Sequence, residues 1–323
     1  MGATLLDRPS TQSANGSAQR LRTITTAVRV SFTWLGVRKS LTSEQKAQAA
    51  ESFGAEGQFL SAGKKLLDTR DPAYRAVTAV RHRCISYWRG VSLPYPEPGV
   101  RLIRQDRVAE FDQQLRDFRE ELNEAVVGLD ERYERLKSAA RDRLGSLYDP
   151  ADYPESLHGL FGVDWEFPAV EPPDYLQQLN PEIFEQERQR VASRFEEAVQ
   201  LAEQAFMEEF QRVVAHLCER IGGDGEKKVF RDSVVGNLKE FFDRFRQLNV
   251  RSNPDLDALV DEAQRAVRGV DAQSLRDHAD LRQLVSLQLQ GVQSALDDLL
   301  VDRPRRRILR SSPAGSADSG ASA

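Results

Sequence analysis

The triplets His82-Arg83-Cys84 and His216-Leu217-Cys218 hold the chain's two cysteines, each two residues after a histidine. Imidazole and thiolate are zinc ligands. Both triplets lie in stretches of helical apolar period, where residues two apart point about 200° away from each other. Neither pair can chelate one ion in a regular helix, and both cysteines read as small core residues. Asp149, Asp152, Asp164 and Glu166 offer oxygen ligands, but they lack the tight spacing and turn glycine of a calcium loop. The run Gly222-Gly223-Asp224-Gly225-Glu226-Lys227-Lys228 has the glycines and lysines of a phosphate loop. It lacks the Ser/Thr after lysine and follows a helical pattern, so it reads as an interhelix turn. No hydrolase, zinc-protease, kinase or dinucleotide signature occurs. The expectation is a non-enzyme with no catalytic residue, no metal site and no cofactor. An enzyme assembled from dispersed residues is kept as an alternative.

The remaining chemistry is that of binding. Between Arg143 and Arg188 there is no lysine or arginine, while the stretch carries ten carboxylates and six prolines. Its aromatics, Tyr148, Tyr153, Phe161, Trp165, Phe167 and Tyr175, are candidates for partner contact, with the carboxylates repelling wrong partners. Burial as a core plug, the usual use of such rings, is the reading set against it, and the two are not exclusive. At the other extreme of charge, Arg303, Arg305, Arg306, Arg307 and Arg310 form a basic cluster near the C-terminus. It is a candidate for contact with nucleic acid, set against a solvated run that complements a helix end. It lacks interleaved aromatics, so base stacking is not supported.

Composition bounds these readings. The chain has 323 residues, is 29% charged and carries a net charge of −5. It can bury a real core, and no whole-chain attraction to nucleic acid or an anionic membrane is expected. No stretch of about 18 apolar residues is present, and the start has no apolar leader. With two distant cysteines, a reduced cytoplasmic setting is expected.

The elements that must position these groups are legible in part. Residues 1–22 are small and polar and are expected to be disordered. Val28, Val30, Phe32 and Trp34 alternate with polar residues and read as a strand, whose unpaired backbone calls for Val100–Ile103 as its neighbour. Thr42 and Gln45 make a capping box, and Asp71-Pro72 opens a longer helix. Together these give a small α/β module over residues 23–103. Val108, Leu115, Leu122, Leu129 and Leu136 recur every seven residues, with Phe111, Phe118 and Ala125 as companions and a later shift to Tyr133, Ala140 and Leu147. That heptad predicts a long amphipathic or coiled-coil helix. Asn180-Pro181-Glu182 starts a second long helix. Residues 104–221 therefore read as an antiparallel helical hairpin, joined by the acidic Pro/aromatic connection over 145–180. A helical C-terminal region is expected over 222–302, with Asn253-Pro254 starting one helix and another running from about Ser274 to Val301. A disordered tail over 303–323 follows. The fold class is mainly α, and the heptad can be satisfied by its own second helix or by another chain, which allows a homo-oligomer.

Within the acidic connection, Leu144, Gly145, Tyr148, Asp149, Asp152, Tyr153, Pro154, Phe161, Phe167, Val170 and Pro172 resemble the pattern of a bacterial and phage family, domain of unknown function 3150. Trp34-Leu35-Gly36-Val37-Arg38-Lys39 resembles that family's start, and the resemblance spans roughly residues 23–221. It carries no settled activity and no catalytic residue. Its members' frequent neighbours, AAA+ ATPases of the MoxR type and von Willebrand A-domain proteins, imply an adaptor or substrate of such a machine. The expected function is protein–protein interaction as a helical adaptor or scaffold. A nucleic-acid-associated factor working through the arginine cluster is the alternative.

Overall fold

The computed structural model describes residues 11–221 and 233–301. The chain is mostly helical with a small antiparallel sheet. Among the described residues it divides into two compact units. One runs up to Ala205 and takes back Asp243–Ser252; the other comprises Phe206–Phe242 and the chain from Asn253.

In the first unit, α1 (Thr11–Ile24) leads directly into β1 (Thr25–Trp34). The disorder expected over residues 1–22 is corrected from Thr11 onward. Ala18 and Leu21 lie on one face of α1 and are buried, an amphipathic pattern hidden in a small, polar composition. β2 (Arg38–Ser40) and β3 (Gly63–Lys65) form a two-stranded ribbon enclosing α2 (Ser43–Glu51), which starts with the predicted capping box of Thr42 and Gln45. α3 (Pro72–Gly90) is capped by Asp71, with Pro72 in the first turn, where a missing N–H costs nothing. β4 (Ser92–Pro94), β5 (Val100–Arg104), α4 (Val108–Asp130), α5 (Tyr133–Leu144) and β6 (Phe161–Glu166) follow.

The four-stranded sheet has the order β4-β5-β1-β6, with every pairing antiparallel. β1 is shared along its length. Thr25–Arg29 pairs with β5, so the expected pairing with Val100–Ile103 holds only at Val28 and Arg29, while Arg29–Trp34 pairs with β6. The acidic connection thus supplies an edge strand to the N-terminal sheet. Arg29 sits at the changeover and ties Glu166 at 2.7 Å and Glu97 at 2.8 Å.

The sheet, α3 and α4 share one core, in which Val28, Val77, Ile103, Phe111, Leu115 and Phe161 are buried. The α4 heptad is real, but its apolar face is covered by α3 and β6. The helix stops at Asp130 and restarts as α5 at Tyr133. The hairpin expected over 104–221 is therefore not the packing of α4: once β6 joins β1, its inner face completes the groove in which α4 lies. No boundary separates residues 23–103 from those that follow, because the sheet and α4 have a common core.

α6 (Asp174–Leu179) precedes α7 (Pro181–Ile221), with Asn180 accepting the Ile183 N–H at 3.1 Å at the start of the longer helix. The first half of α7 buries Val191, Phe195 and Ala202, and the Phe195 ring meets Tyr95 edge-on at 5.6 Å.

The second unit is helical: the rest of α7, the start of α8 (Ser233–Leu248), α9 (Pro254–Ala266), α10 (Ala272–Asp277) and α11 (Ala279–Val301). Phe210 and Phe241 stack at 4.9 Å between α7 and α8. Asn253 caps α9 through the Leu256 N–H, as the sequence indicates. The single helix expected from Ser274 is two, broken at His278. Asp271 caps the first of them by a capping box with Ser274. No described helix is long and apolar enough to cross a membrane.

Candidate functional site

The acidic Pro/aromatic segment is built as a chain of anchors. Gly145 ends α5 with φ +52, a left-handed conformation that glycine adopts without steric cost. Asp149 then accepts the Ala151 N–H at 3.0 Å, turning the chain over Pro150 and aiming Asp152 inward. The Asp152 side chain is 0% exposed and is gripped by Lys39 of β2 and Lys64 of β3, the latter 2.6 Å from Oδ2. The Lys64 ammonium also donates to the Leu147 carbonyl at 2.6 Å. Burial by itself would raise the Asp152 carboxyl; the contacts with Lys39 and Lys64 outweigh it and hold the group below the usual carboxylate range. Next to it, Tyr148 and Tyr153 stack at 5.0 Å, and the Tyr153 hydroxyl donates to the Leu66 carbonyl at 3.0 Å. These residues clip the β2–β3 ribbon to the end of α5.

A second anchor follows. The Leu157 N–H donates to Asp130 at 2.7 Å, capping the turn between α4 and α5, and the Leu157 side chain is buried. Phe161 and Val163 then enter the core from β6. The Trp165 indole N–H donates to Asp112 on α4 at 2.8 Å, and the Arg119 guanidinium lies 4.3 Å from the Trp165 ring centroid. Arg119 also donates to the Val163 carbonyl at 3.1 Å. The indole hydrogen bond, followed by Arg116, holds the Asp112 carboxyl below its ordinary range.

The six candidate aromatics therefore divide. Phe161 is buried, and Tyr148, Tyr153 and Trp165 are half-buried and fastened. Phe167 is 40% exposed, its ring meeting Phe111 edge-on at 6.5 Å. Tyr175 is 63% exposed. Two aliphatic residues absent from the sequence candidates join the outward set: Leu179 is 75% exposed and Ile183 is 44% exposed. Tyr175 and Leu179 stand one turn apart on α6, and Ile183 lies in the first turn of α7. The spacing of four residues carried that signal in the sequence. Exposed Asp174 and Glu182 lie beside them, and Glu171 is tied to Arg22 of α1, with Nε–Oε1 at 2.6 Å.

The acids considered as metal ligands have other partners. Asp152 meets two lysines, Asp149 caps a turn, Asp164 pairs with Arg119 at 2.9 Å and Glu166 pairs with Arg29. Among the described residues, no group of three His, Cys, Asp or Glu side chains is placed to hold a metal ion. His82 and His216 are exposed while Cys84 and Cys218 are buried, so each triplet points its two groups apart. Burial pushes the Cys84 thiol up to about 11 and raises that of Cys218, leaving both protonated and inert at neutral pH. The glycine/lysine turn 222–228 and the arginines Arg303, Arg305, Arg306, Arg307 and Arg310 lie outside the described residues.

Fold and site together define a mostly helical chain with a small antiparallel sheet, in which one acidic segment is half core and half surface. No protein-family model, no curated protein and no solved structure matches the chain.

Proposed function

We propose that the protein is a non-enzymatic adaptor that binds another protein through the outward half of its acidic segment, Phe167, Tyr175, Leu179 and Ile183. The observation that carries this reading is the exposure of Tyr175, Leu179 and Ile183 within nine residues, inside a stretch with no lysine or arginine. Singly exposed apolar residues are ordinary, but three large ones this close together are a recurrent mark of interaction sites. The surrounding carboxylates favour a partner segment that is basic and amphipathic, and they disfavour nucleic acid. The α4 heptad face is spent on α3 and β6, so a coiled coil through α4 is not needed to explain its pattern. The resemblance to the family of unknown function would place the partner in an AAA+ ATPase system.

The test compares the full chain with a Leu179→Asp/Ile183→Asp variant as bait in an extract of the native host. Both positions are exposed, so the melting temperature is expected to change little. Wild type is expected to recover a partner that dissociates at high salt, and the variant to lose it. Equal recovery by a folded variant would sink the proposal.

A further inference from the structure

A cleft of about 250 Å³ lies within the first unit, and none of its lining residues belongs to the acidic segment. It is bounded by the end of α1, the start of β1, β4, β5 and the residues that close α8. Leu21, Leu93, Leu102 and Leu248 give it an apolar floor of buried side chains. Its polar lining is dominated by Arg20 of α1, Arg104 of β5, and Arg246 and Arg251 from the stretch that closes α8.

Positive charge in this region exceeds the negative charge available to it. Arg104 is held by Asp106 at 2.6 Å and Arg246 by Asp243 at 3.7 Å. Arg20, Arg101 and Arg251 have no carboxylate at ion-pair distance among the described residues. Arg101, three residues before Arg104 on β5, is pushed down to about 10 by burial and then by the like charges of Arg89 and Arg244. In a chain of net charge −5, this is a local field of opposite sign.

Part of the cluster has structural work. Arg101 donates to the Ser92 carbonyl at 2.7 Å and to the Arg89 carbonyl at 3.5 Å in the last turn of α3, and Arg104 to the Gln247 carbonyl at 3.4 Å near the end of α8. Carbonyls at helix C-termini attract cations, so these two side chains need no ligand to explain them. Arg20 and Arg251 have no such carbonyl contact among the described residues. Arg251 also has φ +53, the one positive φ among described non-glycine residues, with its N–H held by Asn249 Oδ1 at 2.9 Å. A side chain kept at a strained backbone position, beside other cations and over an apolar floor, is the arrangement of a binding site.

We infer that this cleft binds the phosphate group of a small organic molecule, with Arg20 and Arg251 as its free donors, Arg104 and Arg246 beside them, and the leucine floor beneath the ligand's organic part. Planar guanidinium forks match phosphate oxygens in pairs. The concave shape and small volume suit a compact ligand; a duplex would need a basic stripe.

The experiment is a calorimetric titration of the full chain with inorganic pyrophosphate at constant ionic strength, with single-stranded oligonucleotide as the comparison. Pyrophosphate is expected to saturate at one site. Arg20→Gln and Arg251→Gly are each expected to weaken it about tenfold or more. Arg251→Gly suits the left-handed backbone, so its melting temperature should hold or rise, which separates lost binding from lost folding. Absence of saturable pyrophosphate binding overturns the inference. So does binding unchanged in both variants, or binding of the oligonucleotide alone.

Discussion

Asp152→Ala is expected to destabilise the protein by about 3 kcal/mol, the lower end of the range for breaking a buried ion pair. The loss comes mainly from what is left behind. Lys64, its side chain 6% exposed, loses its counter-ion. The carboxylate is sealed from solvent at 0% exposure but lies near the protein surface, where the surroundings are less apolar than the core centre, hence the lower end. Replacing Asp152 and its buried partner by apolar residues, Asp152→Leu with Lys64→Met, should recover much of the loss, since the one charge then left unpaired, Lys39, is 56% exposed. Urea denaturation of the two variants checks this, and equal losses in single and double would show that the ion pair is not the cause. Acid should act in the same direction. The Asp152 carboxyl is held below its unfolded value, so its contribution is present above that unfolded value and is lost as pH falls through the folded one.

Phe111→Ala is expected to cost about 3–5 kcal/mol, the range for emptying an aromatic site in a core. Phe111 is 1% exposed and lies where α4 meets α3 and β6, its ring 5.9 Å from Tyr87. Phe111→Leu keeps most of the volume and should cost about 1.5 kcal/mol or less. Tyr175→Ala, by contrast, should stay within about 0.5 kcal/mol, as exposed positions do. The contrast is a direct reading of the division between core and surface aromatics. A loss at Tyr175 as large as that at Phe111 would mean that the outward face is packed in solution.

What could be read in the sequence was local. Thr42/Gln45, Asp71-Pro72, Asn180-Pro181 and Asn253-Pro254 all start helices where their short-range chemistry says they should. The β1–β5 pairing follows from one extended segment needing a partner for its backbone. The same need for backbone partners extends to the far half of β1 and is met by β6. β1 is ten residues long and β5 only five, so half of β1 needed another neighbour. Phe161, Val163 and Trp165 had the period-two spacing, but prolines and acids around them read as loop.

The long-range contacts could not be read. Asp152 and Lys39 are 113 residues apart in sequence and Trp165 and Asp112 are 53 apart, and no local pattern announces either. The heptad of α4 was legible as an amphipathic helix but silent on what covers it, because α3, a sheet face and a second long helix all satisfy the same stripe. The arginine cleft was invisible for the same reason. Its cations come from three segments far apart in sequence, and only the fold places them together.

The acidic segment is fastened through Tyr153, Phe161 and Trp165, and its exposed Tyr175, Leu179 and Ile183 are the proposed contacts for a protein partner. The most direct test of these contacts is photo-crosslinking in the native host, with a photoreactive residue placed singly at Tyr175, at Leu179, or at exposed Glu120 on α4 as the control. A common adduct is expected from Tyr175 and Leu179 that the control does not form. No adduct at those two positions, or the same adduct from Glu120, would contradict the proposed contacts.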